Sequence, residues 1–146
     1  IVKGNKTNFS LYANRFRALS LVTVVATAVI ALPLFIFAPL IIQIVFGGAF
    51  AESSPILRIY LWTSIAITLV VLAQHYLIVE NLSRIFLYTS IIGATANILL
   101  NVILIPQFGP KGSAWGTMIS YLVVVASLLL FKRSRDGIIK IFTQKN

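Results

Sequence analysis

The chain has 146 residues, of which 59% are hydrophobic and 10% are charged, and its net charge is +9. This balance excludes an ordinary soluble domain, and the lack of cysteine excludes disulfide bonds, thiol catalysis and thiolate metal sites. The basic residues flank apolar stretches, so they indicate membrane topology and contacts with anionic membrane lipids. We therefore expect membrane lipids as partners and no nucleic acid.

Four stretches without Lys, Arg, Asp or Glu account for most of the chain. They contain 34, 21, 26 and 20 residues, at 18–51, 59–79, 85–110 and 112–131. A bilayer core of roughly 30 Å needs about 20 apolar residues in a helix, and a helix satisfies its own backbone hydrogen bonds in lipid. The sequence predicts an all-α polytopic membrane protein with four transmembrane helices, at about 18–46, 56–79, 85–106 and 112–131.

A basic segment precedes the first predicted span. In residues 1–17, Phe9, Tyr12 and Phe16 share one helical face. Two interpretations stay open: the segment is an amphipathic helix in the membrane interface, or it is simply the start of the first span. The chain begins with Ile1 instead of Met, so we expect it to be a piece of a longer protein whose missing part lies upstream.

The distribution of Lys and Arg predicts the orientation. Ten lie before the first span, in the second loop and in the basic tail at 132–146, and only Arg58 and Lys111 lie on the other side. Cytoplasmic loops carry the excess of Lys and Arg, so both termini are expected to be cytoplasmic. Arg58 and Lys111 contact either an anionic substrate or only lipid headgroups.

Prolines and glycines predict bends and close contacts. Pro33 and Pro39 should bend the first span, which we expect to break or end near Gly47 and Gly48. The turn formers at 106–112 predict an antiparallel hairpin of spans three and four. Small residues at helical spacing allow helices to approach closely, and they predict a packing face formed by Gly93, Gly112, Gly116 and Ser120.

The polar residues within the spans are the candidate site residues. Asn97 and Asn101 are four residues apart and share a helical face. They either form interhelical hydrogen bonds or line a water-filled cavity. Gln74, His75 and Gln43 are further cavity candidates. His75 is either a packing or headgroup contact or a proton-linked switch.

No nucleophile–base pair and no cluster of metal ligands is visible in the sequence, which has three acidic residues and one histidine. We therefore expect no enzyme, no catalytic residue, no metal site and no cofactor.

Three segments resemble the C-terminal region of polysaccharide-export proteins of the O-antigen flippase type, in the multidrug/oligosaccharidyl-lipid/polysaccharide exporter superfamily. The segments are Pro39–Phe50 (PLIIQIVFGGAF) with Leu57–Ile59, Ile92–Pro106 (IGATANILLNVILIP), and Phe108–Thr117 (FGPKGSAWGT) with Ile119–Tyr121. The asparagine pair, the Ile-Pro exit and the glycine-rich hairpin give the resemblance its specificity, and it covers about residues 10–131.

The resemblance implies a transporter of about twelve helices in two lobes, of which this chain would be the last four. Such proteins move an undecaprenyl-pyrophosphate-linked oligosaccharide across the bacterial inner membrane for cell-surface polysaccharides such as lipopolysaccharide. The partners would be that lipid-linked oligosaccharide and the N-terminal helices of the same protein, where any cationic cavity residues would lie. Two alternatives are a multidrug/cation antiporter of the same superfamily and a non-transport membrane subunit of a polysaccharide assembly complex.

Overall fold

The computed structural model describes the backbone of residues 6–143 and the side chains of residues 11–143. The ends of the two predicted cytoplasmic segments, residues 1–5 and 144–146, and the side chain of Phe9 lie outside the described part. This part is almost entirely helical and contains no strand. A 3₁₀ helix at Gly48–Ser53 accompanies six α-helices: α1 Lys6–Ile36, α2 Ala38–Phe46, α3 Ser54–Val79, α4 Ser83–Phe108, α5 Pro110–Leu130 and α6 Lys132–Thr143.

The prediction of four membrane-spanning helices is confirmed at the level of length and composition. The described residues contain four helical segments that are long and apolar enough to cross a membrane, at Leu11–Ile36, Gly48–Val79, Ser83–Phe108 and Pro110–Leu130. Large apolar side chains point outwards along them, as at Val102 and Leu130, which are 68% and 82% exposed. Such a surface is stable in hydrocarbon and unfavourable in water. The twelve-helix parent protein stays a prediction.

The first predicted span is divided at Phe37, between the two prolines that are expected to bend it. Pro33 lies inside α1, and the backbone leaves helical geometry at Phe37, with φ −89° and ψ 8°. Pro39 then occupies the first turn of α2, where its missing N–H costs little. The span ends near Gly47 and Gly48, as expected: α2 ends at Phe46, and Gly47 has a φ of +82°.

The basic segment at 1–17 is continuous with the first span where it is described. Helix α1 begins at Lys6 and runs without interruption to Ile36. Tyr12 and Phe16 contact each other, with ring centroids 6.0 Å apart. Phe16 also contacts Tyr76 of α3, with ring centroids 6.3 Å apart. These aromatic residues face the bundle, so this part of the segment starts a membrane helix.

The turn between spans three and four is shorter than the sequence predicts. Helix α4 continues through Pro106 to Phe108. A proline removes only one backbone hydrogen bond of a helix, and the residues after Pro106 resume the helical hydrogen-bond pattern. Gly109 N–H donates to the carbonyl of Ile105 over 2.8 Å. The turn is then made at Gly109 alone, whose φ of +58° is open to glycine at no steric cost. The expected loop at 106–112 is therefore helical on both sides of one residue.

The helices pack in the order α1, α3, α5, α4, with α4 and α5 in the most extensive contact. Helix α2 and the 3₁₀ helix lie against α3 at one end of the bundle, and α6 lies across the other end against α5, α1 and α3. We call the end that carries α6 and the start of α1 the basic end, and the end with Gly109 the opposite end. Both described termini are therefore at the same end of the bundle.

The most buried apolar cluster lies at the basic end. It contains Ala13, Tyr76, Leu77, Leu82, Leu128 and Ile141. Ile141 of α6 is 1% exposed, and its carbonyl accepts a hydrogen bond from Nε of Arg17. The predicted basic tail at 132–146 is thus a helix over its described part, and this helix is docked on the bundle.

Candidate functional site: a polar groove between three helices

A groove with a polar lining runs between α3, α4 and α5. Its volume is about 400 Å³. Six of its lining residues carry hydrogen-bonding side chains: Gln74 from α3, Ser90 and Asn97 from α4, and Thr117, Ser120 and Tyr121 from α5. None of the lining residues is Lys, Arg, His, Asp or Glu. The groove can therefore bind a neutral, hydroxyl-rich or amide-containing group through hydrogen bonds, and it offers no full charge to an ion.

The groove lies at the middle of the helices and extends towards the basic end. Ser120 is the central residue of α5, and Asn97 lies close to the centre of α4. Ser90 is seven residues before Asn97, which places it about 10 Å closer to the basic end. Gln74 lies near the end of α3 on the same side. Polar groups at this depth are costly next to lipid tails, so they face protein or an enclosed polar space.

Asn97 is at the centre of a hydrogen-bond network that joins α4 to α5. Its Nδ2 donates to Oγ of Ser120 over 3.2 Å and approaches Oγ1 of Thr117 at 3.5 Å. Nδ2 of Asn101 donates to Oδ1 of Asn97 over 3.0 Å. The hydroxyl of Ser120 in turn donates to the backbone carbonyl of Thr117 over 2.7 Å. The network fixes the Asn97 amide at the wall of the groove.

Asn101 continues this network behind the groove wall. Its Oδ1 is buried and has no hydrogen-bond partner among the described residues. A Cβ atom built on Gly116 would lie 2.7 Å from that Oδ1, so a glycine here leaves room for the asparagine side chain. An unsatisfied buried carbonyl costs about 1–3 kcal/mol. Asn101 thus supports Asn97 through one hydrogen bond and does not line the groove itself.

The remaining small residues bring α4 and α5 close together at two further levels. A Cβ built on Gly112 would lie 2.5 Å from the carbonyl carbon of Leu104, so the two backbones are in direct contact there. A Cβ built on Gly93 would come closer than 3.0 Å to Cγ2 of Val124. The residues predicted to form a packing face, Gly93, Gly112, Gly116 and Ser120, are all buried in the structure.

Two of the predicted cavity residues lie away from the groove. His75, next to Gln74, is exposed on the outer side of α3, and Gln43 is exposed on α2. Adjacent residues on a helix point about 100° apart, so only one of Gln74 and His75 can face the groove. The described residues contain no group of three or more His, Asp or Glu side chains that could hold a metal ion.

Ser90, Thr117 and Tyr121 are lining residues that the sequence analysis did not identify. Ser90 lies two helical turns before Asn97 and therefore on the same face. Thr117 and Tyr121 are four residues apart, on either side of Ser120. They were missed because a hydroxyl group alone is a weak signal in an apolar span. Extending the helical faces that carry Asn97 and Ser120 would have identified all three.

Comparison of this chain with protein-family models, with curated proteins and with solved structures gave no match.

Proposed function

We propose that this chain is part of a membrane transporter that moves lipid-linked oligosaccharide units between leaflets, as the resemblance of its sequence segments to O-antigen flippases implies. The observation that supports the proposal best is the uncharged polar groove between α3, α4 and α5. It adjoins outward-facing apolar surface. A lipid-linked sugar needs both surroundings, because its glycan requires hydrogen bonds while its hydrocarbon chain remains in lipid.

The lining residues suit a glycan. Asn and Gln amides donate and accept, and Ser, Thr and Tyr hydroxyls do both. Sugar hydroxyl groups have the same dual character, so each can exchange its water partners for groove side chains. The groove contains no cation that would bind a diphosphate. In our proposal the diphosphate is held by helices upstream in the same protein, and the glycan contacts the groove described here.

The position of the groove fits loading from the cytoplasmic leaflet. It extends from the middle of the helices towards the basic end, which the distribution of Lys and Arg assigns to the cytoplasm. Rocking of one lobe against the other would then expose the glycan on the far side, as in other secondary transporters. The membrane would be the bacterial inner membrane.

An ion-coupled antiporter is supported less well by these helices. A carboxylate within a membrane helix is the usual site of ion or proton coupling. Helices α1 to α5 contain no Asp or Glu.

Translocation of a fluorescent lipid-linked glycan by the intact gene product in proteoliposomes tests the proposal. Gln74→Leu and Asn97→Leu should each slow translocation about two- to tenfold, as expected from loss of one neutral hydrogen bond to the glycan. His75→Leu is the matched control, because it changes the neighbouring polar residue outside the groove. Asn101→Leu should have a smaller effect than Asn97→Leu.

Two results would contradict the proposal. One is normal translocation by both the Gln74 and Asn97 variants. The other is an equal loss in the His75 control, since that loss would reflect α3 as a whole. Gln74→Leu leaves the Asn97 hydrogen-bond network untouched, so it separates a role in the groove from a role in folding.

A further inference from the structure

A second groove lies on the other side of α3 and α5, between these helices and α1. Its volume is about 750 Å³. The only two cations that the sequence places at the opposite end, Arg58 from α3 and Lys111 from α5, both line it. Its other lining residues are mostly aliphatic and aromatic, and none is acidic. Neither cation has a carboxylate within ion-pair distance among the described residues.

The Arg58 side chain is fixed in place by the break between α1 and α2. Pro39 has no N–H, so the carbonyl of Phe35, four residues earlier, lacks its helical donor. Nε of Arg58 donates to that carbonyl over 3.2 Å, and the guanidinium lies 5.2 Å from the centre of the Phe35 ring. A guanidinium has five N–H donors. The four N–H donors on the two Nη atoms are therefore left for a ligand, and the guanidinium presents them at a defined position.

The groove is as deep as one leaflet of a bilayer. From the cations it extends along α3 to Leu69 and along α5 to Leu122, eleven residues in each case. At 1.5 Å per residue this is about 16 Å, half of a hydrocarbon core of roughly 30 Å. Trp62 and Trp115 line the wall one turn below the cations, where amphipathic rings are favoured at the membrane interface.

We propose that this groove binds one anionic phospholipid from the leaflet at the opposite end. Its phosphate would lie between Arg58 and Lys111, where two cations without an acidic partner supply charge-assisted hydrogen bonds. An acyl chain would follow the apolar wall towards Leu69 and Leu122. The depth of the groove favours a phospholipid over a polyprenyl diphosphate, whose chain is far longer than one leaflet. The site is separate from the polar groove and does not depend on its proposed function.

Native mass spectrometry of the intact gene product, with phosphatidylglycerol and phosphatidylcholine of identical acyl chains, tests this inference. The wild type should retain phosphatidylglycerol in preference to phosphatidylcholine. Lys111→Gln should weaken phosphatidylglycerol binding about tenfold, as expected for loss of a hydrogen bond to a charged group. Lys132→Gln, which removes one charge at the basic end, is the matched control and should lower phosphatidylglycerol binding clearly less than Lys111→Gln does.

Arg58→Gln should also weaken binding, but it removes the donor to Phe35 as well and can disturb the fold. The Lys111 variant therefore decides the test. Equal retention of the two lipids by the wild type would overturn the inference, and so would unchanged binding by Lys111→Gln. A polyprenyl diphosphate can be added as a competitor. If it displaces phosphatidylglycerol from the wild type but not from Lys111→Gln, the groove binds the diphosphate, and the assignment of a phospholipid as occupant is wrong.

Discussion

The direct backbone contact between α4 and α5 makes Gly112→Ala the most informative single substitution. The added Cβ would lie 2.5 Å from the carbonyl carbon of Leu104 and 3.0 Å from the backbone nitrogen of Ile105, whereas ordinary contacts are 3.4–4 Å. The two helices would have to separate locally by about 1 Å. A side chain could rotate away from such a clash, but a helix backbone cannot. Overpacking of this kind costs about 1–3 kcal/mol, and it outweighs the gain in helix propensity of up to about 1 kcal/mol for Gly→Ala.

The free energy of unfolding in mixed detergent micelles, measured by titration with a denaturing detergent, checks this prediction. Gly48→Ala is the matched control, since a Cβ at Gly48 meets nothing within 4 Å. After the gain in helix propensity is subtracted, we expect Gly112→Ala to be less stable than wild type by about 1–2 kcal/mol, and Gly48→Ala to be close to wild type. If the two variants were equally stable, the close contact between α4 and α5 would be refuted as a feature of this fold.

Two further substitutions test contacts at other levels of the bundle. Gly93→Ala should destabilise the chain by about 1 kcal/mol, less than Gly112→Ala, because its Cβ overlaps a methyl group of Val124 and that side chain can partly shift. Adding Val124→Ala should restore much of that loss, since Cβ of Val124 would remain 3.9 Å away. If the two substitutions were simply additive in a double-mutant cycle, the contact would be contradicted. Gly137→Ala should weaken the docking of α6, because the new Cβ would lie 2.8 Å from Cζ of Tyr76. Limited proteolysis within 132–143 should then be faster than in the wild type. An unchanged rate of proteolysis would argue against docking of α6.

The helical architecture follows from simple properties of the sequence. The predicted spans at 56–79, 85–106 and 112–131 agree with α3, α4 and α5 to within two residues at each end. In lipid the backbone has no alternative partner, so hydrophobicity alone selects the helix. The first span was less predictable. Its length allowed a break at several positions, and the position of the break depends on Pro39 and on a donor from α3.

The candidate site was only partly predictable. A polar residue in a span must face protein, and this places Asn97 and Gln74 correctly beside a polar space. The same argument does not hold near a helix end, where a polar side chain can reach the interface, and His75 and Gln43 are exposed there. The docking of α6 could not be predicted, because its amphipathic sequence suits a membrane surface as well as a protein surface.

The hydrogen bond between Arg58 and the carbonyl of Phe35 has a mechanical consequence. Without this hydrogen bond, the carbonyl of Phe35 at the end of α1 would lack a donor, because Pro39 has no N–H. The donor is supplied by α3, 23 residues further along the chain, so the end of α1 cannot move away from the start of α3 unless this bond is lost. A displacement of the start of α3 is therefore transmitted to the last turn of α1, next to the break that leads into α2.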